Sequence, residues 1–122
     1  MISVLKIDKN KLPLFYEKAN IELNEISGGV CAASGEEVFA FCLFDLDKKG
    51  ILIRFIDANN DLGLADGVLR SALHIAAERS AMDARYDDTV PEELLEKLQF
   101  IADKSLKKLD IDKLFGGCCC KK

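Results

Sequence analysis

The pattern of apolar and polar positions predicts nine elements that switch between strand and helix. Alternating or continuous β-branched runs are typical of strands, whereas apolar residues recurring every three or four positions are typical of helices. Strands are predicted at Ser3–Ile7, Val30–Ala33, Val38–Phe44, Ile51–Ile56, Met82–Tyr86 and Ser105–Lys113. Helices are predicted at Leu12–Glu22, Leu64–Ala81 and Pro91–Leu98. The predicted order is therefore β-α-β-β-β-α-β-α-β.

The connections between these elements predict how the strands pair. Strands two to four are joined by short polar turns such as Asp47–Gly50, so they should form an antiparallel meander. Val38–Phe44 is apolar on both faces, which favours a central position in a covered sheet, and Ser3–Ile7 should be an edge strand. The long helix is a crossover and implies a parallel pair of strands four and five. The fold class is α/β (α+β), a mixed central sheet with helices on both faces.

Length and charge narrow the class of protein. The chain has 122 residues, which is the size of one domain, here predicted over residues 1–115. Residues 116–122 lack any helical or strand period and are predicted to be a disordered tail. The 17 basic and 21 acidic side chains give a net charge of -4, so we expect no nucleic-acid partner. No apolar leader and no stretch of membrane-spanning length is evident, which favours a cytoplasmic protein without a membrane partner.

The five cysteines fall into two groups. Cys31 and Cys42 lie in apolar strand-like runs, where we expect them to be reduced core residues. Cys118, Cys119 and Cys120 are adjacent in the tail, before two lysines that would lower the pKa of the thiols. The tail could be exposed without a folded role, a redox, modification or metal-transfer handle, or a packed element. No spacing in the chain predicts a metal site.

Two further charged positions are interpreted structurally. His74 has Arg70 and Glu78 at i-4 and i+4, which predicts a surface ladder on the long helix. Arg54 is polar within an apolar strand, and we expect it to pair with a carboxylate on a helix.

One turn and one late helix resemble a known family. The segment Asn60-Asp61-Leu62-Gly63-Leu64-Ala65 resembles the turn between the fourth strand and the long helix of the GNAT acyl-CoA N-acyltransferases. That family's turn is Gln/Arg-x-x-Gly-x-Gly/Ala, and its backbone N–H groups hold the pyrophosphate of the acyl-CoA, as helix N-termini hold anions generally. Gly63 and Ala65 match the small positions, and Asn60 stands at the first. The segment Leu94–Phe100 is similar to the family's Leu-Tyr-Glu-Lys-Leu-Gly-Phe.

The resemblance implies an N-acetyltransferase that uses acetyl-CoA as acyl donor and an amine as acceptor. It implies that strand four, the turn and the start of the long helix bind the cofactor, through Ile56, Asn60, Leu62, Gly63, Leu64, Ala65 and Gly67. Asp57 ends strand four, where a general base could take a proton from an amine through a water. Tyr86 is the nearest candidate for a phenolic acid.

The same residues also have a purely structural interpretation. Gly63–Ala65 could be a plain strand-to-helix turn, with Asp61 as N-cap and Asp66 favourable near the helix start. Asp57 could be a solvated carboxylate at a strand end, and Tyr86 a half-buried structural residue.

Two alternative functions therefore stay open at this point. The chain could be a non-catalytic binding or regulatory module that has kept the fold and lost the cofactor, because acidic residues crowd the turn and Leu95 stands where many family members have a tyrosine. The thiols of the tail could instead handle metal or redox traffic. A homodimer could form through an exposed strand edge near Ser105–Lys113.

Overall fold

The computed structural model describes residues 2–111, which form strands and helices of one mixed α/β sheet structure. The strands are β1 Ser3–Lys6, β2 Ser27–Ser34, β3 Glu37–Leu46, β4 Gly50–Asp57, β5 Asp83–Tyr86, β6 Ile101–Asp103 and β7 Lys108–Leu109. The helices are α1 Leu12–Ala19, α2 Leu62–Glu78 and α3 Glu92–Leu98. Within these residues the strand order is β1-β2-β3-β4-β5-β7-β6, so the predicted fold class is confirmed.

The pairing of the strands follows the length of their connections. β1, β2, β3 and β4 are successive antiparallel neighbours, and β4 pairs in parallel with β5 through the crossover helix α2. The predicted meander, the parallel pair and the edge position of β1 are confirmed.

The C-terminal part of the sheet differs from the prediction of one strand at Ser105–Lys113. The Asp103 carboxylate accepts hydrogen bonds from the backbone N–H and the hydroxyl of Ser105, at 2.9 and 2.7 Å, and reverses the chain between β6 and β7. β7 lies between β5 and β6, so it is an interior strand and not the exposed edge expected there. Residues 112 and 113 lie outside the described residues, as do the three adjacent cysteines of the tail.

Several other element boundaries differ from the predictions, and the start of β2 and the ends of α1 and α2 differ most, by three residues each. β2 begins at Ser27, three residues before the predicted start, because Gly28 and Gly29 are strand positions. An added Cβ would lie 2.8 Å from the Phe44 ring at Gly28 and 2.9 Å from Leu43 at Gly29, so a larger residue at either position would have to displace these side chains. α1 ends at Ala19 because Asn20 adopts a left-handed conformation with φ 59°.

Each face of the sheet has its own core. α2 and α3 cover the larger core, to which Leu69, Leu73 and Leu95 contribute fully buried side chains. α1 covers a smaller one, where Tyr16 is 1% exposed and donates its hydroxyl hydrogen bond to the carbonyls of Gly28 and Phe44, at 2.8 and 2.9 Å. Helices therefore lie on both faces, as predicted.

The two cysteines of the described residues differ in burial. Cys42 is fully buried in the larger core, as expected, and burial raises the pKa of its thiol. Cys31 is only half-buried at the border of the smaller core, so the expectation of a core residue holds for Cys42 alone. Within residues 2–111, no helix is both long and apolar enough to cross a membrane.

Candidate functional site

The sheet opens between β4 and β5. The two strands pair only from Gly50–Asp83 to Ile53–Tyr86, after which β4 continues to Asp57 while β5 has ended. The segment after β5 then makes two hydrogen bonds to β4. The Asp87 N–H donates to the Ile53 carbonyl at 2.8 Å, and the Thr89 hydroxyl donates to the Arg54 carbonyl. Beyond this point β4 continues to Asp57 without pairing with β5.

A β-bulge in β4 changes the direction of its backbone carbonyl groups at this point. Leu43 pairs with Phe55 and Phe44 with Ile53, so Arg54 is the extra residue of β4. The bulge explains why the consecutive carbonyls of Ile53 and Arg54 both accept from the segment after β5. Ile56 lies two residues beyond the bulge, in the part of β4 that no longer pairs with β5.

A cleft of about 660 Å³ lies where the end of β4, the start of α2 and the start of α3 meet. Its apolar lining consists of Ile56, Ala58, Leu62, Ala65, Pro91 and Leu94. Its polar lining consists of Asp57, Asn59, Asn60, Asp61, Glu93 and Lys97. The cleft thus combines an apolar surface, which suits a neutral extended ligand, with several charged groups.

The cleft brings together most of the residues expected to bind a cofactor. Ile56, Asn60, Leu62 and Ala65 all line it, and so does Asp57.

Three of the expected residues do not line the cleft. Gly63 and Leu64 lie in the first turn of α2 beside it. Gly67 lies further along α2, where an added Cβ would be 3.7 Å from Val4 of β1, so it faces the edge strand instead.

The start of α3 is the part of the site that the residue pattern did not single out. Pro91, Glu93, Leu94 and Lys97 line the cleft opposite the turn after β4. The available signal was the similarity of Leu94–Phe100 to the late helix of the GNAT family, which includes two of these positions.

Asparagines shape the turn between β4 and α2. Asn59 and Asn60 have φ of 51° and 64°, a left-handed conformation that asparagine tolerates better than most residues. The Asp57 carboxylate accepts from the Asn59 N–H at 3.3 Å, and the Asn59 side-chain amide donates to the Phe39 carbonyl at 3.1 Å. These bonds hold the turn against the start of β3 and leave the Asp57 side chain exposed.

Asp61 caps α2, as predicted. Its Oδ1 accepts from the Leu64 N–H at 3.1 Å. The positive end of the helix macrodipole and the remaining N–H groups of the first turn still favour an anion beside the cleft.

The charges that line the cleft oppose that preference. Asp57, Asp61 and Glu93 contribute carboxylates, and Lys97 contributes an ammonium whose Nζ is 3.9 Å from Glu93 Oε1. The apolar lining and the Ile56 backbone therefore fit the neutral thioester arm of an acyl-CoA. Phosphates at the α2 turn would lie close to these carboxylates, which weaken the binding of an anion there.

Tyr86 lies away from the cleft lining. It is 2% exposed, and its hydroxyl donates to Glu92 Oε2 at 2.7 Å, which ties β5 to the first turn of α3. Burial, and then the Glu92 carboxylate, raise the pKa of Tyr86 to about 12. The side chain is thus fully buried rather than half-buried. Leu95 is fully buried in the larger core and does not line the cleft either.

Arg54 pairs with a strand carboxylate, so the prediction of a helix partner was wrong. Its Nη1 lies 3.5 Å from Asp45 Oδ2 on β3 and donates to the Glu22 carbonyl at 2.8 Å. The bulge at Arg54 places its side chain near the loop after α1.

The predicted ladder on α2 is only half formed. His74 Nε2 lies 3.5 Å from Glu78 Oε2, as expected. Arg70, however, donates to Asp66 Oδ2 at 2.8 Å and lies over the Phe100 ring, 5.2 Å from its centroid.

Comparisons with known proteins place the fold. No family model and no curated protein matches the sequence. Among solved structures, the fold is similar to a ribosomal-protein-alanine N-acetyltransferase from Brucella melitensis biovar Abortus 2308, with 16% identity, a TM-score of 0.64, and coverage of 84% of this chain and 94% of that one. It is also similar to a probable acetyltransferase, with 17% identity, a TM-score of 0.61 and coverage of 86% and 93%.

A third structure extends the comparison. The ribosomal-protein-S18-alanine N-acetyltransferase from Escherichia coli is 12% identical, with a TM-score of 0.59 and coverage of 88% of each chain. At these identities the likeness is one of fold. The resemblance to the GNAT acetyltransferases is confirmed at that level: this chain has the GNAT fold.

Proposed function

We propose that this chain is a cytoplasmic N-acetyltransferase that binds acetyl-CoA in the cleft formed by the end of β4 and the starts of α2 and α3, and passes the acetyl group to an amine. The observation that carries the proposal is this cleft itself, which lies beside the start of α2 and combines apolar lining residues with the end of β4 beyond its last pair with β5. The similarity of the fold to solved acetyltransferases supports it.

The chemistry requires a positioned carbonyl and a proton acceptor. When bound, acetyl-CoA supplies a thioester whose C–S bond breaks as the amine nitrogen forms a C–N bond, with one proton leaving the nitrogen and one reaching the departing thiolate. Ile56 lines the cleft, and its backbone N–H would donate to the thioester carbonyl oxygen there, which is the role of an oxyanion-hole donor.

Asp57 is the residue that would take the amine proton. Its carboxylate is exposed at the end of β4 and lines the same cleft as Ile56, one residue away. A water between this carboxylate and the amine is sufficient, since general bases act directly or through one water. Tyr86 is not included in this proposal because its hydroxyl is buried and bonded to Glu92.

The proposal is tested by acetyl-CoA binding in two variants that each add one carboxylate to α2. Gly63→Glu places the charge in the first turn beside the cleft, and His74→Glu places it at an exposed position that does not line the cleft. We expect calorimetry to show binding by the wild type and by His74→Glu, and a loss of about tenfold or more in Gly63→Glu from like-charge repulsion. Equal affinities in all three proteins would place the cofactor elsewhere.

Catalysis is then tested by release of free thiol from acetyl-CoA in the presence of small amines and amine-bearing peptides. Release that depends on an amine supports transfer. Binding without release from any amine would leave a binding protein and not an enzyme.

A second candidate function is a non-catalytic module that has kept the fold and lost the cofactor. It is favoured by the three carboxylates in the cleft and by the burial of Leu95 and Tyr86, which leaves no phenol among the residues that line it. This candidate predicts no stabilisation by acetyl-CoA at millimolar concentration. A role for the thiols of the tail stays a prediction, which deletion of residues 116–122 would test through thiol reactivity and metal binding.

A further inference from the structure

The carboxylate of Asp61 already occupies one hydrogen-bond donor of the first turn of α2. Asp61 lines the cleft, and its Oδ1 accepts from the Leu64 N–H at 3.1 Å. An added Cβ at Gly63 would lie 3.3 Å from the same oxygen, so the carboxylate sits close against the turn. A phosphate at this turn would have to share its N–H groups with Asp61 or displace it.

The other charged groups that line the cleft do not offset Asp61. Asp57 and Glu93 add two carboxylates, and Lys97 is the basic side chain found among the described lining residues. Because its Nζ is only 3.9 Å from Glu93 Oε1, part of its charge is already neutralised. Each phosphate of a bound CoA would therefore meet a negative surrounding.

The neutral part of a pantetheine thioester carries no charge that these carboxylates could repel. Ile56, Ala65 and Leu94 give the cleft an apolar surface, and the amide groups of the arm can bond to the backbone of β4 beyond the bulge. The thioester arm therefore contributes most of the favourable binding energy of a donor in this cleft, whereas the carboxylates repel the phosphates.

We infer that Asp61 is a specificity-determining residue that removes most of the advantage of the CoA phosphates, so that the donor class of this site is the weakly charged acyl-pantetheine thioester. The inference rests on the proposed function and refines its donor. S-acetyl-pantetheine, which lacks the nucleotide and its phosphates, should bind nearly as well as acetyl-CoA.

The test is calorimetric titration of both donors into the wild type, Asp61→Ser and Asp66→Asn. Serine keeps the N-cap while it removes the charge, and Asp61→Asn serves as a second variant with the same purpose. Asp66→Asn removes the same charge from the same helix at a position that pairs with Arg70 and does not line the cleft. Far-UV circular dichroism verifies that α2 is intact in each variant.

In the wild type we expect dissociation constants for the two donors within about threefold of each other. Asp61→Ser should tighten acetyl-CoA about tenfold, which corresponds to about 1.4 kcal/mol, and should leave S-acetyl-pantetheine within about twofold. Asp66→Asn should change neither donor. Added salt should leave unchanged or tighten acetyl-CoA binding to the wild type, because it screens a repulsion, and should weaken binding to Asp61→Ser.

Two results would overturn the inference and leave the proposed function standing. One is acetyl-CoA binding at least about a hundredfold tighter than S-acetyl-pantetheine in the wild type. The other is an Asp61→Ser variant with wild-type affinity for both donors. If neither donor binds the wild type or any variant, the proposed function itself is refuted, and the inference with it.

Discussion

Gly50 is the position where one added methyl group tests the β4–β5 pair most sharply. It begins β4 directly opposite Asp83, and a Cβ at this position would lie 1.9 Å from the Asp83 carbonyl oxygen and 2.8 Å from its carbonyl carbon. These neighbours are backbone atoms, so no side chain can turn away to relieve the clash. Gly50→Ala must therefore push the two strands apart.

The expected loss of stability follows from that distance. Ordinary carbon contacts are about 3.5 to 4.0 Å, so the added Cβ and the Asp83 carbonyl oxygen must separate by about 1.5 Å. Overpacking usually costs about 1 to 3 kcal/mol, and the upper end applies here, because the movement also strains the hydrogen bond from the Asp83 N–H to the Lys49 carbonyl, 3.2 Å long.

The assay is urea unfolding of the wild type, Gly50→Ala and the matched variant Gly67→Ala. At Gly67 an added Cβ makes an ordinary 3.7 Å contact with Val4, and alanine is better than glycine inside a helix by about 1 kcal/mol. We expect Gly50→Ala to lower the free energy of unfolding by about 2 to 3 kcal/mol and Gly67→Ala to raise it by up to about 1 kcal/mol. A Gly50→Ala protein within about 0.5 kcal/mol of the wild type would refute the close approach of β4 and β5 at this end.

The remaining predictions concern Tyr86 and Asp57. In the folded protein the pKa of Tyr86 is raised to about 12, whereas in the unfolded chain the tyrosine ionises near its ordinary pKa of 10.0. The folded state therefore keeps a proton that the unfolded state loses, and we expect the free energy of unfolding to fall as the pH rises from about 10 towards 12. Tyr86→Phe should make that fall smaller by up to about 2 kcal/mol in urea unfolding at pH 8 to 11.5, and parallel pH profiles for the two proteins would contradict the assignment. Asp57→Asn should lower kcat for amine acetylation by about a hundredfold at neutral pH, because the proton acceptor is lost, and leave acetyl-CoA affinity within a few-fold. Unchanged kcat would remove Asp57 from the proposed catalytic role.

The central part of the fold could be predicted from the sequence because local patterns and connection lengths determine it. The short polar turns dictate antiparallel pairing of β2, β3 and β4, and the 17-residue helix α2 allows only a crossover to a parallel β5. The strand residues Gly28 and Gly29 could not be predicted in the same way. Their place in β2 depends on Phe44, Leu43 and other side chains that pack above them. These contacts are between residues distant in sequence, so the local pattern does not predict them.

In the candidate site too, the features set by local sequence could be predicted and those set by tertiary contacts could not. The N-cap Asp61 and the small residues of the turn are local features, and the structure places most of them at one cleft. The bulge at Arg54 is invisible in a continuous run of β-branched and aromatic residues, because it arises from the registers of β3 and β4. The bond from Tyr86 to Glu92 likewise depends on how α3 packs against β5, so the burial of Tyr86 was underestimated.

The central claim is that the cleft formed by the end of β4 and the starts of α2 and α3 binds an acyl thioester. Its most direct test is titration of the ¹⁵N-labelled protein with acetyl-CoA while the backbone amide signals are recorded by NMR. We expect saturable shifts that are largest at Ile56, Leu62 and Leu94, which line the cleft from three different elements. The absence of saturable shifts at millimolar acetyl-CoA, or shifts concentrated on α1 and the far face of the sheet, would contradict the account.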